Sequence, residues 1–427
     1  MGVQNLQKKH DLGVKHFDLM PIPLLMDLPT RRGKDQEKVK IGIVVSYLGT
    51  SGVGTALVEL VKVLSEEHKV EVLHFNRNST DTDRERLLSE IAKISLIDGI
   101  DNLHSFFKEK MYYAVKSLRI RYLSCLLYHA LCMKFSSGRE KDIHHCRILP
   151  QHEYEYDIVI SYQNLYGLSA IYPLYNMKAK HKIMWVHSEI DDYSIPKIEY
   201  PKFDRIVCVS NAIKTSIDNA LPQLRSKTSV IYNILNEEVI RKKSREQIPF
   251  IKNDNEVLIC SVGRLDVIKQ YDLAIKAMSL VLKKNPKVRW IVCGEGADRS
   301  RLEEIIRSEG LEESFLLLGN IPNPYPYILL SDIFCHTSRS EGFGLVLQEA
   351  KILGKPVVCT NFQTANEIIM DNEDGFIVEQ NPNAVAEAIL FLVNDDNLRK
   401  RYSCWKRAIS AEQSREKITN LMKELQE

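Results

Sequence analysis

The chain has 427 residues, of which 44% are hydrophobic and 27% are charged, and its formal net charge at pH 7 is +2. A chain of this length exceeds what one hydrophobic core usually serves, so we expect two domains of about 200 residues each. The near-neutral charge excludes electrostatic attraction of the whole molecule to nucleic acid, and no nucleic-acid partner is expected. Any basic function must therefore be local.

The sequence contains neither an evident membrane-spanning stretch nor a secretion signal. No apolar run approaches the ~20 residues that cross a bilayer, and the early segment LMPIPLLMDLP carries three prolines and an aspartate. Five of the nine cysteines lie inside apolar runs, as reduced core cysteines do: Cys208, Cys260, Cys293, Cys335 and Cys359. We therefore expect a cytoplasmic protein, either free or at the inner face of the cell membrane.

Strand and helix patterns alternate along the first half of the chain, after a polar segment at 1–38 that is expected to be a mobile tail. The apolar strand Val39–Val45 is followed by a helix with Leu57, Leu60 and Leu64 on one face. Further strands are predicted at Val70–Phe75, Ile158–Ser161, Lys182–Val186, Arg205–Val209 and Ser229–Tyr232. This alternation is typical of a parallel sheet with helices on both faces.

A polar stretch at 236–255 interrupts the alternation and is interpreted as a linker. A second series of strands follows, at Val257–Val262, Val288–Cys293, Phe315–Leu318, Ile333–His336 and Pro356–Cys359. The fold class is therefore α/β, with two doubly wound Rossmann-like domains, at 39–235 and 256–410, that face a cleft. A C-terminal helix is predicted at 411–427, where it could pack back on the first domain. Ligands of such sheets bind at the carboxyl ends of the strands, so the cleft is the expected site.

The interval 102–150 does not fit the alternation and is predicted to be a basic helical insertion. Between Lys108 and Lys134 the only acidic residue is Glu109, against six basic ones: Lys108, Lys110, Lys116, Arg119, Arg121 and Lys134. Several tyrosines and leucines lie among them. Two interpretations stay open, a solvated helical insertion and a helix that lies on an anionic membrane surface.

The stretch SYLGTSGVGTA at 46–56 has the form of a phosphate-binding loop without its charges. Gly49 and Gly54 have the spacing of the phosphate loop, yet Thr55 stands where that motif requires lysine. The dinucleotide fingerprint also fails, because Leu57 replaces its third glycine. A positive charge for a phosphate must therefore come from another part of the chain.

That charge is present at the start of the second domain, in LICSVGRLDVIKQYDLAIKAM. Here a strand leads through a glycine turn to a helix that begins near Tyr271, so Arg264 and Lys269 leave the carboxyl end of the strand together. Two cations on one loop suit a diphosphate, because each can form charge-assisted hydrogen bonds to it.

A second segment, HTSRSEGFGLVLQEAKILGKPVV, has a strand and then a helix predicted at Gly344–Leu353. Glu341 precedes this helix and Glu349 lies inside it. Free amides at the helix start, from Gly344 and Leu345, favour an anion. Carboxylates accept hydrogen bonds from vicinal sugar or ribose hydroxyls. The segment can therefore hold a phosphate and two hydroxylated rings.

Glu341 and Glu349, separated by seven residues around GFGLVLQ, together with SVGRL and Lys269, resemble the retaining family-four glycosyltransferases of the GT-B fold. Bacterial polysaccharide and glycolipid glycosyltransferases are similar. The resemblance implies that Arg264 and Lys269 hold the donor diphosphate. It also implies that Glu349 binds the ribose hydroxyls and Glu341 the hydroxyls of the transferred sugar.

The same resemblance implies the rest of the site. The donor-binding set is completed by Gly52, Gly54, Gly342, Phe343, Gly344 and Leu345, with Gly52 and Gly54 facing the pyrophosphate through backbone amides alone. The catalytic set is Glu341, His187, Arg264 and Lys269, with His187 near the reacting sugar. The sequence departs from the family at Gln270, where glycine is usual, and in the first loop, which lacks the common double glycine.

The implied activity is retaining transfer of a hexose or N-acetylhexosamine from a nucleotide diphosphate sugar, with UDP as the expected nucleotide. The acceptor is a hydroxyl of a glycan or lipid-linked compound in capsule, exopolysaccharide or glycolipid synthesis. No cofactor and no metal are expected, because Asp81–Asp83 is interpreted as a helix start and His144, His145 and Cys146 have no second ligand cluster. The alternatives are a nucleotide-sugar epimerase, a non-catalytic binding subunit and a nucleotide-dependent oxidoreductase.

Overall fold

The structure is a computed structural model that describes residues 38–427 except 47, 50–51, 76–81, 98–102, 137, 150, 163–166, 189, 191–199 and 405–408. The side chains of 82–83, 103–107 and 138–139 are also not described. The tail predicted at 1–38 therefore lies outside the described residues except for Lys38, and Asp81 lies outside them too. The described part of the predicted helix at Asp81–Asp83 begins at Thr82.

The first half of the described chain alternates between strands and helices. Its elements are β1 Lys40–Val45, α1 Gly52–Glu67, β2 Lys69–His74, α2 Thr82–Ser89, β3 Lys93–Leu96, α3 Leu103–Lys116, α4 Ile120–Phe135, α5 Gly138–Ile148, β4 Glu155–Tyr162, α6 Leu168–Asn176, β5 Lys178–Val186, β6 Arg205–Cys208, α7 Asn211–Ala220 and β7 Thr228–Val230. The strands form one parallel sheet in the order β3-β2-β1-β4-β5-β6-β7. The centres of β1 and β4 are fully buried, as strands covered on both faces must be.

The second half repeats the pattern around a six-stranded sheet. Its elements are α8 Glu237–Lys243, β8 Val257–Val262, α9 Tyr271–Leu282, β9 Val288–Cys293, α10 Arg299–Ser308, β10 Phe315–Gly319, α11 Tyr325–Leu330, β11 Ile333–His336, α12 Leu345–Ile352, β12 Val357–Thr360, α13 Ala365–Ile368, β13 Gly375–Val378, α14 Pro382–Asn394, α15 Asp396–Tyr402 and α16 Ala411–Glu424. The strand order is β10-β9-β8-β11-β12-β13. The predicted α/β class with two doubly wound sheets is confirmed.

Two strands escaped the sequence reading, β3 and β13. β3 has no fully buried residue and β13 has only its first residue buried, whereas the equally short strands β11 and β12, which were predicted, are buried throughout. The stretch at 236–255 interpreted as a linker also contains α8, whose N-cap Asn236 accepts a hydrogen bond from the Val239 amide at 3.0 Å. Acidic residues in its first turn and basic residues in its last turn complement the helix dipole.

The sheets are wound so that each has a point where the chain changes direction across it. In the first sheet this point lies between β1 and β4, and in the second between β8 and β11. Loops that leave the carboxyl ends of these strands diverge there and open a crevice. Four of the residues singled out in the sequence, Arg264, Lys269, Glu341 and Gly52, lie on such loops or directly after them.

The C-terminal helix α16 packs on the first domain. Its side chains Ile418, Leu421 and Met422 are buried in the same apolar cluster as the first sheet. The guanidinium of Arg415 pairs with Glu66 of α1 at 3.0 Å. The chain thus crosses from the second domain back to the first.

A carboxylate joins the two domains beside the cleft. Glu367 of α13 accepts hydrogen bonds from the backbone amides of Asn211 and Ala212, both at 2.9 Å, at the start of α7. The hydroxyl of Tyr232 donates to the same carboxylate at 2.9 Å. A negative charge at a helix N-terminus is favourable because the free amides there carry positive partial charge. Glu367 therefore fixes the second domain against one end of the first.

We expect Glu367→Gln to weaken this domain contact, because an amide replaces a charged acceptor of at least three donors. The melting temperature should fall by a few degrees, as expected for a loss of about 1.5–3 kcal/mol in bonds to a charged group. Glu379→Gln is the matched control, since among the described residues the Glu379 carboxylate accepts a hydrogen bond only from the nearby Asn381 side chain. Equal melting temperatures of the two variants would contradict the contact.

Candidate active site

The first-domain and second-domain loops meet where two helices begin. A side chain added at Gly52, the first residue of α1, would meet Leu345 Cδ1, on the first residue of α12, at 3.3 Å. The N-termini of α1 and α12 therefore face the same small region of the cleft. Both ends carry free amides and positive dipole ends, so an anion placed between them would be stabilised from both domains.

Glu341 is the centre of a buried polar cluster in the second domain. Its Oε1 accepts hydrogen bonds from Lys269 Nζ and from His336 Nε2, the latter at 2.7 Å. The side chains of all three are mostly buried, and that of His336 is only 3% exposed. Both bonds end on Oε1, and Oε2 accepts none from the residues that the structure describes. Glu341 therefore keeps one oxygen for a hydroxyl of a ligand.

The cluster keeps Glu341 ionised. Burial by itself would raise the pKa of this carboxyl, but the hydrogen bond from His336 and the charge of Lys269 outweigh burial and hold the pKa well below its usual range. Burial lowers the pKa of His336 despite the neighbouring carboxylate, which favours the neutral ring. A neutral histidine that donates through Nε2 must carry its proton there. His336 was not singled out in the sequence because a histidine ending a strand has no distinctive pattern.

Hydrogen bonds between two loops position Lys269. Its amide donates to the Asp266 side chain at 3.2 Å, and its carbonyl accepts from Thr337 Oγ1 at 2.8 Å. The next residue, Gln270, has a φ of 50°, in the left-handed region that glycine favours. The position is thus one where glycine is the natural choice, and here glutamine adopts the same conformation.

Arg264 has the opposite character. Its side chain is 74% exposed and pairs with Asp266 at 3.1 Å on the same loop. An exposed guanidinium held by a single carboxylate can reorient at little cost. The structure therefore places Arg264 at the cleft as an adjustable cation, whereas Lys269 is fixed by its partners.

Glu349 lies inside α12 and is bonded to a residue that the sequence did not single out. Tyr325 of α11 donates its hydroxyl to Glu349 Oε1 at 3.0 Å. Burial raises the pKa of Glu349 to about 7, and the hydrogen bond from Tyr325 only partly offsets burial. The carboxyl of Glu349 therefore titrates near neutral pH, unlike that of Glu341.

His187 follows β5 and is buried against Tyr162, with the two ring centroids 4.5 Å apart. Burial lowers its pKa to about 3, so the ring is neutral. Its Nε2 is buried and has no hydrogen-bond partner among the residues that the structure describes. The carbonyl of His187 lies directly against Gly342 of the second domain. A Cβ at Gly342 would approach the His187 carbonyl carbon to 2.9 Å, so only glycine allows the backbones to meet.

The residues around Gly342 complete the interdomain contact. Phe343 stacks on Tyr232 of the first domain, with ring centroids 5.2 Å apart and planes 17° from parallel. Gly344 caps α12 with a φ of 70°, a left-handed conformation that glycine adopts without strain. The segment 342–345 therefore sets both the width of the cleft and the direction of the α12 amides.

The structure adds a cation to the first loop that the sequence reading missed. Arg84 of α2 lies over Gly54, where an added Cβ would come within 2.9 Å of its Cζ, and Arg84 Nη2 is 3.4 Å from Thr55 Oγ1. Its charge also reaches Tyr325 across the cleft, where it acts against the rise in the tyrosine pKa caused mainly by burial. A cation from α2 therefore lies beside this loop, in addition to the backbone amides that the sequence predicts for it. Arg84 comes from another helix, thirty residues beyond Gly54 in the sequence.

The second domain matches a known family. Residues 242–407 match the family model described as Glycosyl transferases group 1. This match lies in the second half of the chain and covers less than half of the whole chain. The chain is 35% identical over 205 residues to an N-acetylgalactosamine-N,N'-diacetylbacillosaminyl-diphospho-undecaprenol 4-alpha-N-acetylgalactosaminyltransferase of Campylobacter jejuni. This alignment covers 48% of the chain and 54% of that relative, so the chain spans about half the relative's length.

Two further comparisons extend this relationship. The poly(ribitol-phosphate) alpha-N-acetylglucosaminyltransferase of Staphylococcus aureus is 32% identical over 149 residues, which are 34% of the chain and 30% of that protein. The crystal structure of HepE from Anabaena in complex with UDP-glucose superposes with a TM-score of 0.65 at 16% identity, covering 90% of the chain and 100% of HepE. The likeness to HepE shows that the chain has the GT-B fold.

Within the described ranges, no helix of the chain has the length and apolar character needed to cross a membrane. The five cysteines predicted to be core residues are all buried, and no disulfide involves them.

We expect Gly342→Ala to separate the domains, because its methyl group has no space beside the backbone of His187. Amide exchange at Asn211 and Ala212, which Glu367 protects, should then accelerate by about tenfold or more, measured by hydrogen–deuterium exchange. Gly52→Ala is the control, since its methyl group would meet only the flexible end of Leu345. Unchanged exchange in Gly342→Ala would show that this contact does not hold the domains in solution.

Proposed function

We propose that the chain is a retaining glycosyltransferase that moves a hexose or N-acetylhexosamine from a UDP-sugar to a hydroxyl of a glycan or lipid-linked acceptor. The observation that carries the proposal is the cluster of Lys269, Glu341 and His336 at the start of α12, facing the glycine-containing start of α1. This arrangement supplies a cation, helix amides and a free carboxylate oxygen in one crevice. A nucleotide diphosphate sugar needs these three features.

The names of similar proteins support the donor and acceptor classes. HepE was crystallised with UDP-glucose, the Campylobacter relative is named for an undecaprenol diphosphate acceptor, and the Staphylococcus relative is named for poly(ribitol-phosphate). Both relatives are named as alpha-glycosyltransferases. Because UDP-hexoses are commonly alpha-linked, an alpha product corresponds to retention. An acceptor anchored in lipid also suits work at the inner face of the cell membrane, in capsule, exopolysaccharide or glycolipid synthesis.

Cations and helix amides stabilise the departing diphosphate. The ammonium of Lys269 has three N–H donors, of which Glu341 takes one, so two remain for phosphate oxygens. Arg264 turns from Asp266 towards the second phosphate, and the first amides of α12 face the same charge. Such preorganised donors commonly contribute the largest part of a rate enhancement. Charge stabilisation from side chains leaves no step that requires a metal ion.

The carboxylates of Glu341 and Glu349 bind different parts of the donor. Glu341 Oε2 accepts hydrogen bonds from hydroxyls of the transferred sugar, while Lys269 and His336 hold the carboxylate in place. Glu349 accepts the ribose hydroxyls in its ionised form. The neutral ring of His187 offers its buried Nε2 to a sugar hydroxyl from the first-domain side. The sugar is thereby held between the domains.

The acceptor hydroxyl attacks the anomeric carbon from the face that the diphosphate leaves. The bond from the acceptor oxygen to that carbon forms as the bond from the carbon to the phosphate oxygen breaks. The acceptor proton passes to a diphosphate oxygen, so the charges balance and no protein base is required. Arg84 lies beside the amides of Gly54 and supports the diphosphate from the first domain.

We expect the affinity for UDP-sugar to rise by about tenfold between pH 6 and pH 8, because a carboxyl with a pKa of about 7 changes from mostly protonated to mostly ionised over this range. Only the ionised form accepts both ribose hydroxyls, and the donor phosphates stay ionised throughout. Calorimetry of UDP-sugar binding measures the effect.

Glu349→Gln is the matched control, because an amide of the same size does not titrate. It should bind UDP-sugar more weakly at pH 8 and with little dependence on pH. Binding by the unaltered protein that does not vary between pH 6 and pH 8 would remove Glu349 from the ribose site.

The function is tested by a transfer assay with a panel of nucleotide sugars and an extract of lipid-linked acceptors, with and without EDTA. We expect an alpha-linked product from a UDP-sugar, formed equally well in EDTA. Donor turnover without acceptor would instead indicate an epimerase, and donor binding without any turnover a non-catalytic subunit. Loss of activity in EDTA, restored by manganese or magnesium, would contradict the metal-independent mechanism.

We expect Arg264→Ala to lower kcat/KM for transfer by about 100-fold or more, because it removes one preorganised contact to the diphosphate. Folding should be unaffected, since the side chain is largely exposed. Arg241→Ala is the control, because Arg241 is also exposed and pairs with one carboxylate, that of Glu237. Equal activity of the two variants would exclude Arg264 from the donor site.

A further inference from the structure

Exposed apolar side chains are concentrated on the helical insertion. Among the described residues, nine of the seventeen exposed large apolar side chains lie between positions 112 and 135. Five of them belong to α4: Ile120, Leu127, Tyr128, Leu131 and Phe135. At about 100° per residue, these five positions fall within an arc of about 100° around the helix. We call this arc the outer face of α4.

Helix α4 has a second apolar face, which is already buried. Leu126 on that face packs with Ala114 of α3 and Ile148 of α5 in a small apolar cluster separate from the two main cores. A helix that is apolar on opposite faces normally has both of them covered. The outer face is instead exposed, as apolar surfaces that bind a partner are in the free protein.

Cations border the outer face on both sides. Around the helix, Lys134 lies just before its first edge and Arg121 just beyond its other edge, by the same helical geometry. Both side chains are exposed. Since Glu109 is the only acidic residue between 108 and 134, the whole surface is positively charged.

The turn between α3 and α4 presents further apolar side chains. Leu118 is 83% exposed and has a φ of 54°, a left-handed conformation that costs energy for a branched side chain. Arg119 and Ile120 follow it, and both are exposed. A leucine held outward at a turn and followed by a cation is suited to enter the boundary between lipid headgroups and acyl chains.

We propose that the outer face of α4 and the turn at Leu118 dock on an anionic phospholipid bilayer. The apolar side chains enter the interface while Arg121 and Lys134 contact lipid phosphates. Helix α4 has 16 residues, fewer than the ~20 needed to span, so it lies along the surface. The inference deepens the proposed function by bringing the enzyme to a lipid-linked acceptor, and it rests on that function only for this purpose.

Charge favours lipid over a second copy of the chain as the occupant. Two copies that met through this face would bring like charges together, which is unfavourable at an interface. An anionic bilayer offers negative charge at any position and in any number. An anionic bilayer is therefore a better complement than a second copy to a surface with an apolar centre and a cationic border.

Sedimentation with vesicles tests the proposal. The full chain should pellet with vesicles of phosphatidylglycerol and phosphatidylcholine, should pellet much less with phosphatidylcholine alone, and should be released by high salt. The double variant Leu131→Ser, Phe135→Ser should lower the partition coefficient by at least tenfold. The variant Arg121→Glu, Lys134→Glu should lose the preference for anionic lipid.

The matched control is Ile251→Ser, Phe391→Ser, which removes two exposed apolar side chains elsewhere, 80% and 62% exposed. It should pellet as the unaltered chain does. Transfer to a water-soluble acceptor should be equal in all variants, so loss of vesicle binding is distinguishable from loss of the proposed activity.

Three outcomes would overturn the proposal. The first is equal pelleting with neutral and anionic vesicles. The second is equal pelleting of Leu131→Ser, Phe135→Ser and its control Ile251→Ser, Phe391→Ser. The third is self-association in analytical ultracentrifugation that Leu131→Ser, Phe135→Ser abolishes, which would identify a second copy as the occupant of the outer face.

Discussion

The buried contact between Lys269 and Glu341 is the interaction on which the site depends. Desolvating a carboxylate costs several kcal/mol unless a cation and hydrogen bonds satisfy it, and here Lys269 and His336 do both. The contact also joins the loop after β8 to the loop after β11, across the point where the second sheet changes direction. Because α12 starts at Leu345, a short loop beyond Glu341, the same contact helps to orient the first amides of the helix and Glu349, one helical turn further on.

The width of the cleft is a second constraint, and it is set by backbone contacts. Gly342 meets the carbonyl of His187, Phe343 stacks on Tyr232, and Glu367 holds the start of α7. All three contacts join the domains beside the cleft. Interdomain contacts of this size permit relative motion. A donor bound between the helix starts would therefore contact groups from both domains only when these contacts are made.

The charge of the molecule is also unevenly distributed. Its net charge is only +2, yet Arg84, Arg264 and Lys269 lie at the cleft and six basic residues lie between 108 and 134 of the helical insertion. The first group suits a diphosphate and the second an anionic surface, as the proposed function and the proposed docking on lipid require. Uniform basicity would instead attract polyanions without selectivity.

The sequence by itself determined the α/β class and most strands within one or two residues, because apolar periodicity is a property of short segments. Its local motifs also singled out Arg264, Lys269, Glu341 and Glu349 as candidate site residues. It did not reveal β3 and β13, which are mostly not fully buried, whereas the equally short strands β11 and β12 are buried throughout. Nor could it show that Arg84 lies over Gly54, that His336 holds Glu341, or that Tyr325 bonds Glu349. These pairs come from different elements, and only the packing of the sheets and helices brings them together. The tertiary structure also decided that Glu341 stays ionised while Glu349 titrates near neutral pH, because the free energy of a buried charge depends on which groups surround it.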